Sequence, residues 1–337
     1  MTFRVAINGF GRIGRVALRI IEERKKQGHT KAEVVAINDL APIDTLAYLL
    51  KYDSVHGRFA GEVLTDNQDL IVNGKKIHCS SIADPTQLPW GKLGVDVVLE
   101  STGLFLSREK ASKHLHAGAK KVLLSAPAND KPDATICYGV NTKDYTSSMQ
   151  IVSTASCTTN CIAPIARVLH DQLGIEKASV TTIHSYTNDQ RILDLPHSDK
   201  RRARAAALSM IPTSTGAAKA VALVMPELEG RFQGLAIRVP TPNVSLIDMV
   251  CQVSKKTSAQ DVNGFLKQAA QGPFKGIMDY CEEPLVSIDM NGTNCSSIVD
   301  SLCTQVVAHD LVKVMAWYDN EWGFTNRAVD LLDLLGA

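Results

Sequence analysis

The chain has 337 residues and a formal net charge of +1, because 36 Lys and Arg residues face 35 Asp and Glu residues. This near-neutral charge gives no electrostatic support for a dedicated nucleic-acid binder or a polybasic membrane-surface protein. Hydrophobic residues make up 45% and charged residues 21%, a balance that excludes a disordered chain. At roughly 150 residues per domain, the length predicts two domains.

Membrane insertion and secretion find no support in the sequence. No stretch approaches the ~18 consecutive apolar residues of a spanning helix, and the N-terminus lacks the features of a signal peptide. The eight cysteines are too sparse for a disulfide scaffold, and none lies in a Cys-x-x-Cys pair. We therefore expect a cytoplasmic protein with free thiols, no membrane span and no metal site.

The first forty residues predict a strand, a helix and a second strand. Residues 4–7 and 33–38 are β-prone runs. Between them, apolar residues recur at helical spacing and Gly28 ends the pattern; the apolar positions are Ile13, Ala17, Ile20 and Ile21. Two such strands joined by a helix predict a right-handed crossover and therefore a parallel sheet.

A Gly-x-Gly-x-x-Gly motif lies between the first strand and the helix. Gly9 permits the tight turn, Gly11 lets a pyrophosphate approach the backbone, and Gly14 lets helix and strand pack closely. Alone, the motif is also compatible with a turn that binds nothing. Asp39 ends the second strand, where a carboxylate accepts hydrogen bonds from a ribose and repels a 2′-phosphate. The glycine motif and Asp39 together favour dinucleotide binding, with NAD preferred over NADP.

The alternation of strands and helices continues to about residue 155. Residues 95–100 and 121–125 are buried-strand candidates, and they flank a helical stretch over 108–117. Residues 151–153 then lead into the segment that contains Cys157 and Cys161.

Cys157 lies where a strand is predicted to end and a helix to begin. A helix N-terminus lowers the pKa of a thiol and can stabilise an oxyanion on a carbonyl that the thiol attacks. Cys161, one turn later, is interpreted as a small buried residue rather than a resolving thiol. Pro164 predicts a kink or an interruption in a helix that starts at Cys157.

A nucleophilic thiol needs a base, and His184 is the best candidate among the nine histidines. It follows a β-branched run that fixes it on a strand. A structural role for this histidine remains an alternative at this point.

The segment 191–204 carries a local charge of +3, and a hydroxyl-rich segment follows over 212–216. Arginine side chains beside threonine hydroxyls suit a small anionic or phosphorylated ligand. A solvated or subunit-contacting face is the common alternative. A nucleic-acid surface would be expected to interleave aromatic residues, and none are present.

Several motifs resemble those of phosphorylating glyceraldehyde-3-phosphate dehydrogenases, and they are spread over essentially the whole chain. They are Ile-Asn-Gly-Phe-Gly-Arg-Ile-Gly-Arg over 7–15, Leu-Lys-Tyr-Asp-Ser over 50–54, Ser-Cys-Thr-Thr-Asn-Cys over 156–161, Arg-Val-Pro-Thr over 238–241 and Trp-Tyr-Asp-Asn-Glu over 317–321.

The resemblance implies an α/β fold, in which an N-terminal Rossmann domain with a doubly wound parallel sheet precedes an α+β catalytic domain built on a mixed sheet. The implied domains are an NAD-binding domain over 1–155, a catalytic and tetramer-interface domain over 156–320, and a C-terminal helix over 321–337 that returns to the first domain. The family resemblance also implies a cytoplasmic homotetramer.

The resemblance also implies residue roles. Cys157 would be the nucleophile and His184 its base. The residues for the attacking inorganic phosphate would be Ser156, Thr158, Arg202, Thr215 and Gly216. Those around the substrate phosphate would be Thr187, Asp189 and Arg238. The contacts for NAD would be Gly9, Gly11, Arg12, Ile13, Gly14, Asp39, Thr102, Ser125, Asn188 and Asn320. Leu195-Pro196 resembles the form associated with NAD preference.

The implied reaction is the NAD-dependent oxidation and phosphorylation of D-glyceraldehyde 3-phosphate to 1,3-bisphosphoglycerate, through a hemithioacetal and a thioester on the cysteine. One alternative is the sister activity on erythrose 4-phosphate. A second, of another class, is a catalytically silent nucleotide- or RNA-binding module. A cysteine hydrolase would not need the predicted dinucleotide-binding domain.

Two positions depart from the family pattern. Ile82 and Ala83 replace a common Glu-Arg pair whose arginine lies near the adenine, so we expect weaker adenosine binding. Phe324 replaces a tyrosine near the nicotinamide end, with a small expected effect.

Overall fold

The computed structural model describes residues 2–337, and their contacts divide the chain into two units. The first unit contains the described residues up to Ile136 together with Lys143–Ala155 and Thr325–Ala337. The second unit contains Cys137–Thr142 and Ser156–Phe324. Each unit has its own sheet.

The strands of the first unit are β1 (Phe3–Asn8), β2 (Ala32–Asn38), β3 (Tyr52–Asp53), β4 (Gly57–Arg58), β5 (Val63–Asp66), β6 (Asp69–Val72), β7 (Lys75–Ser80), β8 (Val97–Glu100), β9 (Lys121–Leu124), β10 (Ala134–Thr135) and β11 (Ile151–Ser153). Nine of them form one sheet in the order β10-β11-β9-β8-β1-β2-β7-β6-β5, and β3 and β4 pair separately. Pairing is parallel from β10 to β7. The predicted parallel sheet is confirmed, and an antiparallel meander, β5 to β7, extends one edge.

The helices of the first unit are α1 (Arg12–Lys26), α2 (Ile43–Lys51) and α3 (Arg108–His116). α1 starts directly after the glycine-rich turn, and its buried face includes Ala17, Ile20 and Ile21, as the apolar spacing predicts. Its last turn is basic, which suits the negative end of the helix dipole. Gly28, at φ +73°, follows the end of the helix.

The strands of the second unit are β12 (Ile175–Ser185), β13 (Ile211–Ser214), β14 (Phe232–Val239), β15 (Ser245–Val253), β16 (Met278–Cys281), β17 (Ser297–Val307) and β18 (Leu311–Tyr318). They form a sheet in the order β13-β14-β12-β15-β18-β17-β16. β12 with β14 and β16 with β17 are parallel pairs, and the other pairs are antiparallel. The expected mixed sheet of the second domain is confirmed.

The helices of the second unit are α4 (Cys157–Leu173), α5 (Ala217–Val224) and α6 (Ala259–Gln271). α4 continues through Pro164, so the predicted interruption does not occur. Proline removes one backbone hydrogen bond from a helix. Here every residue from Thr158 to Ala166 is buried, and this packing holds the helix together across the proline.

A seventh helix, α7 (Trp322–Gly336), ends the chain, and its residues from Thr325 onward belong to the first unit. There Arg24 Nη1 lies 2.6 Å from Asp330 Oδ1, and Thr30 Oγ1 donates to Asp333 Oδ1 at 2.6 Å. Short 3₁₀ turns lie at Pro85–Gln87, Thr142–Asp144, Ala206–Leu208, Pro226–Leu228 and Ser287–Met290. Among residues 2–337, no helix combines the length and the apolar character needed to span a membrane.

Candidate active site

Cys157 and His184 lie side by side in the second unit. Cys157 is the first residue of α4, and His184 is the next-to-last residue of β12. Cys157 Sγ lies 3.6 Å from His184 Nε2. This is a thiol–imidazole pair with the geometry needed for proton transfer between the two groups.

The start of α4 is fixed by Ser156, whose Oγ accepts a hydrogen bond from the Thr159 backbone N–H at 3.0 Å. Burial raises the pKa of the Cys157 thiol above its ordinary value. Arg238, Thr158 and the backbone at Cys157 itself oppose this effect without cancelling it. The predicted lowering of the Cys157 pKa is therefore wrong for the net shift, because burial outweighs the charge of Arg238 and the hydrogen bonds at the start of α4.

His184 has two competing partners at its other ring nitrogen. Nδ1 lies 2.7 Å from the Ser185 carbonyl oxygen and 2.8 Å from Arg238 Nη1. A carbonyl only accepts and a guanidinium only donates, so Nδ1 satisfies one of them at a time. When Nδ1 carries the proton toward Ser185, the lone pair of Nε2 faces the Cys157 thiol. Burial and the charge of Arg238 lower the pKa of His184 to about 3, so the resting imidazole is neutral.

Tyr318 is a neighbour of this pair, and the sequence predicts no role for it. Its ring is fully buried and meets the His184 ring edge-on, with centroids 5.9 Å apart. Its hydroxyl bonds Thr158 Oγ1 at 2.9 Å and Thr182 Oγ1 at 2.8 Å. The Trp-Tyr-Asp-Asn-Glu motif marks the position of Tyr318 in the sequence, but the contact depends on β18 reaching α4 in the fold.

Arg202 is held by acidic and hydroxyl side chains. Its Nη1 contacts Asp189 Oδ2, and its Nε donates to Thr213 Oγ1 at 3.0 Å. Burial raises the pKa of Asp189, but the contact with Arg202 outweighs burial and keeps the pKa below its ordinary value. A carboxylate repels a phosphate, so Asp189 is suited to orienting Arg202 rather than to touching the ligand. Arg202 also contributes to the low pKa of His184, so its charge reaches the thiol–imidazole pair.

The remaining predicted residues of the second unit lie on loops and helix ends. Thr215 Oγ1 accepts from the Ala217 N–H at 3.1 Å, and Gly216 is the N-cap of α5. Asn188 is exposed. Asn320 Oδ1 accepts from Ser185 Oγ at 2.9 Å and from Ser245 Oγ at 2.8 Å, which fixes its amide.

The three glycines of the first-unit motif differ in the space around them. A Cβ at Gly9, where φ is +91°, would lie 2.7 Å from the Thr102 nitrogen, and a Cβ at Gly14 would lie 2.3 Å from the Gly9 oxygen. A Cβ at Gly11 would meet nothing within 4 Å. Gly9 and Gly14 are therefore needed for packing, while Gly11 leaves open space at the start of α1. This space fits the pyrophosphate of a dinucleotide.

Arg12 and Asp39 border this turn. Arg12 forms an ion pair with Asp53, and Arg12 together with the backbone of Val55 and His56 lowers the pKa of Asp53 to about 2 despite burial. Asp39 Oδ2 accepts from the Phe10 N–H at 2.7 Å. Asp39 also lines a cavity of about 370 Å³ with apolar and small polar residues, Leu40, Ala41, Pro42, Ile43, Leu46, Gln68, Cys79, Ser80 and Ser81. A ribose hydroxyl beside Asp39 and the ring face of a nucleobase against the apolar residues would fit this lining.

Thr102 and Ser125 both bond Glu100. The Thr102 N–H donates to Glu100 Oε1 at 2.8 Å, and Ser125 Oγ donates to the Glu100 carbonyl at 3.0 Å.

At the two departures from the family pattern, the Ile82 backbone bonds the Asn38 side chain, and Phe324 is buried.

Comparisons with known proteins cover the whole chain. Residues 3–108 match the family model described as glyceraldehyde 3-phosphate dehydrogenase, NAD binding domain, and residues 156–320 match its C-terminal domain. The glyceraldehyde-3-phosphate dehydrogenase of Priestia megaterium is 56% identical over 338 residues, covering 100% of this chain and 99% of the relative. That of Geobacillus stearothermophilus is 57% identical over 332 residues, covering 98% and 97%. Glyceraldehyde-3-phosphate dehydrogenase 1 of Bacillus subtilis is 56% identical over the same length.

Proposed function

Because the chain belongs to the glyceraldehyde-3-phosphate dehydrogenase family, an NAD-dependent oxidoreductase family, we propose that it converts D-glyceraldehyde 3-phosphate, NAD and inorganic phosphate into 1,3-bisphosphoglycerate and NADH. The observation that carries the mechanism is the 3.6 Å contact between Cys157 Sγ and His184 Nε2 at the start of α4.

Attack on the aldehyde begins from a neutral pair. Burial raises the pKa of Cys157, and burial with the charge of Arg238 lowers that of His184, so both shifts favour the neutral thiol and imidazole over the ion pair. His184 Nε2 takes the thiol proton as Sγ bonds the aldehyde carbon, and it returns the proton to the oxygen to give a hemithioacetal. The N–H groups at the start of α4 stabilise the developing oxyanion.

Oxidation follows on the same carbon. His184 Nε2 removes the hydroxyl proton of the hemithioacetal as the carbon loses its hydride, which leaves a thioester on Sγ. NAD, when bound, supplies the hydride acceptor. The thioester retains the free energy of the oxidation, which hydrolysis would dissipate.

The second half-reaction needs two anion sites. Arg202, Thr215 and Gly216, with Ser156 and Thr158, are proposed to bind the inorganic phosphate that attacks the thioester carbon. Cys157 then leaves as a thiolate, and the product is an acyl phosphate. Arg238 and Thr187 are proposed to bind the phosphate of the substrate, while Asp189 orients Arg202.

The remaining assignments belong to the same proposal. For NAD we propose the glycine-rich turn with Arg12 and Ile13 at the pyrophosphate, Asp39 at the ribose, Thr102 and Ser125 at the central region, and Asn320 at the nicotinamide amide. Asn188 is proposed as a further contact for NAD. Residues 1–155 would form the NAD-binding domain, 156–320 the catalytic domain, and 321–337 the returning helix. We also propose a homotetramer located in the cytoplasm.

The test is NADH formation from glyceraldehyde 3-phosphate and NAD, with and without inorganic phosphate, with erythrose 4-phosphate as a competing substrate. We expect phosphate-dependent turnover that favours the three-carbon aldehyde. Preference for the four-carbon sugar would move the function to the sister activity, and absence of turnover with intact NAD binding would leave a binding module.

The matched variant is Cys157→Ser, which keeps the size of the side chain and removes the reactive sulfur. We expect turnover to fall by at least about a thousandfold, because a neutral hydroxyl is a far weaker nucleophile. NAD binding, measured by calorimetry, should remain. Substantial residual oxidation would remove Cys157 from the role of nucleophile.

A further inference from the structure

Three buried polar side chains form a row across the centre of the first-unit sheet. Asn8 on β1 is in register with Asn38 on β2 and with Glu100 on β8. Asn8 is 1% exposed, Asn38 6% and Glu100 0%. The neighbouring strand positions are apolar, so polar side chains here carry a desolvation cost that apolar residues would avoid.

Hydrogen bonds join the members of the row. Asn38 Nδ2 donates to Asn8 Oδ1 at 2.7 Å, and Asn8 Nδ2 donates to Glu100 Oε2 at 2.6 Å. On the other side of the carboxylate, both the N–H and the hydroxyl of Thr102 donate to Oε1. The three strands are therefore linked at their carboxyl ends by side chains as well as by the backbone ladder.

His114, on α3, completes the set of donors to Glu100. The Trp90 indole N–H, which can only donate, lies 3.0 Å from His114 Nδ1. Nδ1 must therefore accept, and the proton of the neutral ring is on Nε2, which lies 3.0 Å from Glu100 Oε2. His114 and Trp90 are both fully buried. Four donors thus meet the two oxygens of one carboxylate.

Each member of the row lies one or two residues before a residue proposed to contact the cofactor. Asn8 precedes Gly9, Asn38 precedes Asp39, and Glu100 lies two residues before Thr102. The spacing is tight at this edge, because a Cβ at Gly9 would lie 2.7 Å from the Thr102 nitrogen. Ser101 Oγ also donates to the Gly9 carbonyl at 2.7 Å. A shift of one strand end would therefore change the positions of the turn, the ribose carboxylate and Thr102 together.

We propose that Glu100 is a positioning residue for NAD: with Asn8, Asn38 and His114 it sets the relative positions of the three strand ends that form the cofactor site. Its carboxylate acts through Asn8 and Thr102 and does not itself touch the cofactor. This inference rests on the proposed NAD-dependent function.

The decisive variant is Glu100→Gln, which keeps the shape of the side chain. The amide NH₂ would face a fixed donor in either orientation, the Thr102 N–H on one side or His114 Nε2–H on the other. We expect the dissociation constant for NAD to rise about tenfold, the size of one lost hydrogen bond to a charged group. The kcat at saturating NAD should stay within about twofold, because the reacting residues lie elsewhere.

A control and a second variant separate positioning from stability. The control is Asp133→Asn, at another carboxylate of the same unit that accepts several hydrogen bonds. Asp133 binds Arg108 and the backbone N–H groups of Gln150 and Ile151. This variant should lower the melting temperature and leave NAD affinity unchanged. Asn38→Ser keeps the carboxylate and interrupts the row on β2, so it should weaken NAD binding in the same way as Glu100→Gln.

The measurements are calorimetric titration of the full chain with NAD, its melting temperature, and its steady-state turnover. Weaker NAD binding in both row variants, with the control unchanged, would support the proposal. Unchanged NAD affinity in folded variants, or failure of both variants to fold, would overturn it, because the row would then serve stability alone. Failure of the proposed function would instead show as absent turnover in the unaltered chain, while its NAD affinity and the variant series could still be measured.

Discussion

Arg238 acts on both members of the reactive pair. Its Nη1 lies 2.8 Å from His184 Nδ1, and its charge lowers the pKa of His184 and of Cys157. A cation stabilises the thiolate and disfavours the imidazolium, so the two effects have the same sign for different reasons. One side chain therefore keeps the imidazole neutral while making the thiol easier to ionise.

Arg238→Gln should raise the pKa of Cys157, because the thiolate loses a neighbouring cation. The rate of alkylation by iodoacetamide, a neutral reagent, should then reach its midpoint at a higher pH than in the unaltered chain. The kcat/KM for the phosphorylated aldehyde should fall roughly ten- to a hundredfold from the lost charged contact. Arg201→Gln is the control, since Arg201 bonds the Pro212 carbonyl and is exposed. A midpoint that stays in place or moves to lower pH would contradict the assignment.

The sequence predicts the position of a reactive side chain only where the neighbouring residues of the chain determine it. Cys157 could be placed at a helix start from its own segment, and His184 on a strand from the β-branched run before it. Their partners could not be found in this way. Arg238 meets His184 because β14 pairs with β12 in that register, across 54 residues of chain. The Glu100–His114 pair likewise depends on α3 packing on the sheet.

At the scale of elements, α4 presents the nucleophile on its first turn. Ser156 is both the N-cap of this helix and a proposed phosphate contact. The cap fixes the backbone N–H groups that are proposed to stabilise the oxyanion, so the proposal gives one hydroxyl a role in both helix stability and catalysis.

Ser156→Ala should lower the free energy of unfolding by about 1 kcal/mol, the usual cost of a lost cap, and should also reduce kcat. The matched control is Ser258→Ala. Ser258 caps α6 in the same unit through a reciprocal bond with Asp261, and it has no proposed contact with substrate. We expect equal loss of stability from the two variants in urea unfolding and loss of turnover from Ser156→Ala alone. Equal turnover in both variants would separate Ser156 from catalysis.

The strand–turn–helix start of the chain followed from the sequence because periodicity and glycines specify it locally. The β5–β7 meander was missed, although a signal was present. Asn73-Gly74 joins β6 to β7 with both residues at positive φ, which is the preferred two-residue hairpin turn. At Pro164 the local pattern predicts an interruption that does not occur, because the burial of α4 outweighs the helix-breaking preference of proline.

At the scale of the whole molecule, the C-terminal part of α7 belongs to the first unit. Arg24 reaches from α1 to Asp330 and to the Asn326 side chain, and Lys121 Nζ donates to the Leu335 carbonyl at 2.9 Å. These contacts join segments separated by most of the chain. No local pattern predicts them, and the returning helix was expected only from the family resemblance.

Arg24→Ala should loosen this helix, because Asp330 would lose a half-buried ion-pair partner. We expect amide hydrogen exchange over residues 325–336 to become about tenfold faster. Lys120→Ala is the control in the same unit, since Lys120 itself is exposed and ion pairs of exposed side chains contribute about 0–1 kcal/mol. Unchanged exchange in Arg24→Ala would show that apolar packing alone holds α7.

The placement of residues 325–337 in the first unit has a consequence for synthesis on the ribosome. Residues 156–324 are translated after the rest of that unit and before its last helix. At 5–20 residues per second, residues 325–337 are synthesised on the order of ten to thirty seconds after the preceding segment of their unit. The first unit to emerge is therefore the last to be completed, and during that interval its α7-facing surface is open to chaperones.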